Sequence, residues 1–61
     1  MIKVIDRNGH VYLVNKDQIV SVNEAGASSK WHGIHTFIKL TDGQTIECCN
    51  TIADISTALN I

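Results

Sequence analysis

Sixty-one residues with five Lys and Arg against six Asp and Glu make one domain, with a formal net charge of −1 and no room for a second unit. The basic residues Lys3, Arg7, Lys16, Lys30 and Lys39 are scattered, which argues against nucleic-acid binding driven by clustered phosphate contacts. A chain this short buries only about 60% of its unfolded surface, so it calls for a disulfide, a metal or a partner.

The two cysteines, Cys48 and Cys49, are adjacent, and a bond between neighbours closes almost no loop. Two reduced thiols are expected, as in a cytoplasmic protein. The opening Met1-Ile2-Lys3-Val4-Ile5-Asp6 lacks the apolar run of a signal peptide, and no segment has the length of a membrane span. Cytoplasmic location is the default expectation. Hydrophobic content is 44% with only 18% charged residues, high for so short a chain, and points to self-association or a protein partner as the stabilising element.

The predicted fold is α+β and mostly β: a small antiparallel meander or open barrel of about five strands closed by one C-terminal helix. The first strand, about 2–5, runs through β-branched residues to Asp6-Arg7-Asn8-Gly9, where Asn-Gly is a strong hairpin signal. The return strand is 11–14, Val11-Tyr12-Leu13-Val14. Both faces of this hairpin are apolar, so alternation cannot set its register. Such a hairpin is either central in a small barrel or covered on one side by another subunit.

After the polar turn Asn15-Lys16-Asp17-Gln18 comes a third strand, 19–23. Residues 24–33 have small, flexible side chains and no periodicity, and are expected to form a mobile loop. The fourth and fifth strands, 35–40 and 44–49, flank Thr41-Asp42-Gly43. A two-residue turn would set Ile38 and Leu40 beside Thr45 and Glu47. A three-residue loop closed by Gly43 in the left-handed conformation pairs Ile38 with Ile46 instead, and places Leu40 and Cys48 on the same inner face. Lys39, Glu47, Cys49 and Phe37 then turn outward. The helix spans 51–60, with Asn50 or Thr51 as its cap and Asp54 completing a capping box with Thr51. Ile52, Ile55 and Leu59 form its apolar stripe.

No constellation of residues has the makings of an enzyme, and no cofactor is expected. The carboxylates are spread among turns, strand and cap, and Asp6, Asp42 and Asp54 are accounted for by turn and capping duties. Gly26-Ala27-Ser28-Ser29-Lys30 lacks the second glycine and the strand–loop–helix setting of a phosphate loop. His32, His35 and Cys49 are the only candidates for a metal site, but adjacent cysteines on a strand point to opposite faces. Cys48 is expected as an inert core thiol. Trp31, a lone Trp beside a flexible loop, either anchors a partner or folds back over the sheet. The candidate contact surface is Lys30, Trp31, His32, His35 and Phe37.

Across nearly its full length the chain resembles the small FlbD/SwrD flagellar family. The resemblance is carried by Arg7-Asn8-Gly9, by the step Leu13-Val14-Asn15-Lys16-Asp17-Gln18-Ile19, and by the hairpin Ile38-Lys39-Leu40-Thr41-Asp42-Gly43 before a terminal helix. It is also similar to the first half of LytTR DNA-binding domains. The stretch from Asn23 to Gly33 is longer than the flagellar pattern implies. The first likeness implies a cytoplasmic accessory or regulatory protein acting through contacts, and the second implies a nucleic-acid-binding regulator. The function expected is a small non-enzymatic protein-interaction or regulatory module. It acts as a homo-oligomer through an apolar sheet face or the Trp31 loop, with no membrane insertion. The alternatives are a LytTR-like nucleic-acid binder and a phage-encoded inhibitor of a host protein.

Overall fold

The computed structural model describes all 61 residues. In chain order they form β1 (Ile2–Ile5), β2 (Val11–Val14), a 3₁₀ turn (Lys16–Gln18), β3 (Ile19–Glu24), α1 (Ala27–Trp31), β4 (Thr36–Leu40), β5 (Thr45–Cys48) and α2 (Ile52–Leu59). The expected mostly-β fold with a C-terminal helix is the one that forms, as five antiparallel strands in two sheets. One stretch differs: within 24–33, expected as a loop, Glu24 still belongs to β3 and Ala27–Trp31 make a helical turn.

Both hairpins turn through the same three-residue loop. In the second, Leu40 N–H donates to the Gln44 carbonyl at 2.8 Å and Gly43 N–H to the Leu40 carbonyl at 3.1 Å. Gly43 has φ +89°, the left-handed value that this turn requires. Ile38 therefore pairs with Ile46, as strand alternation predicted. In the first hairpin Asp6 N–H donates to the His10 carbonyl at 2.9 Å and Gly9 takes φ +87°. That sets Val4 against Tyr12 and Ile2 against Val14. The register left open by the two-sided apolar pattern is thus decided by turn geometry.

The sheets β1-β2 and β3-β4-β5 meet at one corner. Asp6 bridges Cys48, Arg7 N–H reaches the Glu47 carbonyl at 3.1 Å, and Cys49 N–H reaches the Ile5 carbonyl at 2.8 Å. The strands therefore follow the order β2-β1-β5-β4-β3, with β2 and β3 as outer edges.

Ile2, Val4 and Val14 from the first hairpin meet Ile38, Ile46 and Cys48 from the second, with Ile55 of α2 between them. Ile19, Val22, Leu40 and Leu59 pack against this cluster while remaining half-buried. Burying Ile55 contributes about 2–3 kcal/mol, and it is the one fully enclosed residue of α2. Ile52, expected in the same stripe, lies at the rim and stays exposed. The capping box forms as expected: Asp54 N–H donates to Thr51 Oγ1 at 3.1 Å, and Thr51 N–H to Asp54 Oδ2 at 3.3 Å. Asn60, in the left-handed conformation, ends the helix. No helix is long and apolar enough to cross a membrane.

Candidate functional site

The five residues named as a contact surface fall on two neighbouring parts of the fold. Lys30 and Trp31 close α1 and His32 is its C-cap, while His35 precedes β4 and Phe37 lies within it. The helical turn is held at both ends by apolar residues: Ala25 and Ile34 are both buried. Ala25 N–H donates to the His35 carbonyl, and Ile34 N–H to the Ser29 carbonyl, each at 3.0 Å. Gly33 at φ +82° reverses the chain into β4. Lys30 Nζ lies 3.1 Å from Glu24 Oε1, an exposed pair worth little in isolation.

Trp31 is 89% exposed. Of its two sequence-level options, folding back over the sheet does not occur, and the ring projects from an anchored turn. Phe37 lies opposite Asn23 and Glu47, on the outer face of the three-stranded sheet, and is half-buried. The other paired positions of that face, Ser21, Lys39 and Thr45, are polar or charged, while Val20, unpaired in the β3 bulge, is exposed.

His32, His35 and Cys49 do not come together, and nowhere do three His, Cys, Asp or Glu side chains assemble as metal ligands. Cys48 is enclosed in the core and Cys49 is half-buried. Burial pushes the Cys48 thiol above the ordinary cysteine range, and hydrogen bonding to Asn50 and Ile5 opposes this without cancelling it. The protonated Sγ donates to Asn50 Oδ1 at 3.1 Å. Asn50 is a junction that sequence reasoning treated only as a possible cap. Its Oδ1 also accepts Ile5 N–H at 2.9 Å, and its backbone carbonyl accepts Thr36 Oγ1 at 2.7 Å.

Apart from the terminal Met1 and Ile61, the most exposed large apolar side chain outside α1, Leu13, lies on the first hairpin. Val11 and Leu13 pair with Ile5 and Lys3 and face away from the core, at 58% and 67% exposure. Tyr12 points to the core side but stands at the margin, 42% exposed, with its hydroxyl 3.4 Å from Asp6 Oδ2. The two-sided apolar pattern of this hairpin was the signal for it: the outer face is uncovered. Between the turns of the two hairpins runs a half-open cleft of about 400 Å³, reached by Tyr12, Gln18, Thr41, Asp42 and Glu47. Thr41 is tied across it to Gln18 through both backbone, at 2.9 Å, and side chain, at 2.6 Å. A smaller apolar groove of about 240 Å³ lies along α2, lined by Val22, Ile52, Ile55, Leu59 and Ile61.

Compared with protein-family models, curated proteins and solved structures, the chain matches none.

Proposed function

We propose that this protein is a small non-enzymatic interaction module of the accessory or regulatory kind. It self-associates through apolar surface on the first hairpin and presents Trp31 to a partner protein. The observation that carries this is the placement of large apolar side chains outside the core: Val11, Leu13, Val20 and Trp31 are all more than half exposed. A domain of 61 residues with ten buried has little core to spare, so apolar side chains in water are its main unused source of stability. A Trp side chain has only two torsions to fix on binding, and Trp is over-represented among residues that dominate interface energies.

The likeness to the FlbD/SwrD family supports the same class, a cytoplasmic protein acting through contacts. Its Asn15-Lys16-Asp17 step has a structural rationale: Asn15 Oδ1 accepts Asp17 N–H at 3.0 Å and starts the 3₁₀ turn between β2 and β3. The basic side chains do not support a nucleic-acid role, since Lys30 is paired with Glu24 and the others stand on separate elements.

The test is the mass in solution by light scattering over a wide concentration range. A mass that rises to a defined multiple of the chain is expected. A single-chain mass at every concentration overturns self-association, and DNA binding that collapses steeply with salt would overturn the choice of partner class.

A further inference from the structure

We infer that the free edge of β2 pairs antiparallel with the β2 of a second copy, about a two-fold axis at Tyr12. This deepens the self-association proposed above and rests on it. The two outer edges of the fold differ in a way that singles out β2. The edge strand β3 carries a register shift between Ile19 and Ser21 and ends on Asn23 and Glu24, a bulge and a charge of the kind that discourage edge-to-edge pairing. β2 has neither. Its four residues are Val-Tyr-Leu-Val, regular, without charge or proline, and three of the four are exposed. A flat apolar edge of this sort is a template for another strand.

The register follows from the hydrogen-bond alternation of the hairpin. Asp6 N–H donates to the His10 carbonyl, so His10, Tyr12 and Val14 direct their backbone groups toward β1. Val11 and Leu13 therefore direct theirs to the open side. Two copies satisfy these groups together when Val11 of one faces Leu13 of the other, which places Tyr12 opposite Tyr12 at a non-hydrogen-bonded position. The interface is then isologous, as a two-fold dimer requires.

The side chains suit the same arrangement. Val11 and Leu13 of both copies form one block of four apolar residues on the outer face, and cross-strand apolar pairs stabilise a sheet. Beyond the strands, the same register sets Asn8 and Gly9 of one turn opposite Lys16 and Asn15 of the other copy. Of these only Lys16 is charged, so no like charges are opposed there. A four-residue edge falls short of the roughly 1,200 Å² buried in a stable interface, so the dimer is expected to be concentration-dependent rather than permanent.

The test combines sedimentation equilibrium with cross-linking. Leu13→Lys, at a position two-thirds exposed in the single chain, should leave the far-ultraviolet spectrum unchanged and weaken dimerisation at least tenfold. In a Cys49→Ser background, Tyr12→Cys should form a disulfide-linked dimer under mild oxidation, because directly opposed residues at such a site lie about 4.5 Å apart at Cα. Val11→Cys alone should not, while a mixture of Val11→Cys and Leu13→Cys chains should link to each other. A wild-type dimer that Leu13→Lys leaves intact, or that Trp31→Ala alone dissociates, overturns the β2 edge and leaves self-association standing. So does a wild-type dimer in which Val11→Cys links to itself and Tyr12→Cys does not. A wild-type chain that is monomeric throughout removes both.

Discussion

The side-chain carbonyl of Asn50 accepts the backbone N–H of Ile5 at 2.9 Å across 45 residues of chain. It continues the ladder by which Cys49 N–H reaches the Ile5 carbonyl, so one residue between β5 and α2 extends the pairing of β1. The same oxygen takes the Cys48 thiol, and the Asn50 carbonyl takes Thr36 Oγ1. Three strands are thus joined where the two sheets have only an isolated bridge between them. Asn50→Ala leaves the Ile5 N–H and the Cys48 thiol without their acceptor in a part-buried site, a loss of about 2 kcal/mol. For a domain of this size that corresponds to a fall in Tm of roughly 8–16 °C. Asn50→Asp, which keeps the accepting oxygen, should retain more stability than Asn50→Ala. Equal losses in thermal denaturation would show that the oxygen is not the stabilising group.

Gly43 sits at φ +89° with no atom within 4 Å of where a Cβ would stand. Any cost of a side chain there is conformational rather than steric. Gly43→Ala should therefore lose about 1–2 kcal/mol, and Gly43→Asn less, since Asn tolerates the left-handed region better. The matching turn at Gly9, φ +87° and equally open, should respond alike. Urea denaturation of the four variants tests both turns, and a Gly43→Ala protein as stable as the parent would remove the three-residue loop.

The second hairpin was legible in the sequence because only one register puts Ile38, Leu40, Ile46 and Cys48 on a common face. The first was not, since Ile2, Val4 and Val14 face inward while Ile5, Val11 and Leu13 face outward, and either set passes for a core. Its turn repeats the second one, a likeness already present in Asp6-Arg7-Asn8-Gly9 and Leu40-Thr41-Asp42-Gly43. The helical turn at Ala27–Trp31 left no signal, being five residues long, without a side-chain cap and rich in serine. The exposure of Trp31 depends on Ala25 and Ile34 being drawn into the core on either side, a tertiary effect that local sequence does not carry. The role of Asn50 is likewise long-range. An Asn before a helix reads as a cap, and here Thr51 holds that post.

Asp6 organises the first turn by accepting Asn8 N–H at 2.9 Å and His10 N–H at 2.8 Å on one oxygen. Partial desolvation raises its carboxyl, but the His10 and Asn8 amides and the adjacent His10 ring together outweigh that and hold it below the ordinary aspartate range. A carboxyl whose folded-state pKa is depressed contributes stability that is complete above its unfolded value of about 4 and is lost as pH falls through the lower folded value. Asp6→Asn keeps an accepting oxygen and removes the titration, so its stability should fall less steeply on acidification. An acid limb identical to that of the parent would show that Asp6 makes no such contribution.

Trp31, being 89% exposed, contributes almost nothing to the core. Trp31→Ala should change stability by no more than about 0.5 kcal/mol. The emission of the isolated chain should be that of a hydrated indole, freely quenched by acrylamide, and should shift to the blue with loss of quenching when a partner covers the ring. A Trp31→Ala variant destabilised by several kcal/mol would place the ring in the core and remove its assignment as a contact residue.

The adjacent thiols differ in reach although they are neighbours in sequence. Cys48 is fully enclosed, its thiol held protonated by burial and bonded to Asn50 Oδ1. Cys49 points to the other side of the strand end and is half-buried. Since the thiolate is the reacting species, native-state alkylation should modify Cys49 first and leave Cys48 intact until the domain opens. Mass mapping after a timed iodoacetamide pulse measures this directly. The Cys48 rate should follow global stability, so Asn50→Ala should accelerate it in proportion to the destabilisation measured by denaturation. Equal rates for the two cysteines in the parent protein would mean that the corner joining the sheets opens without global unfolding.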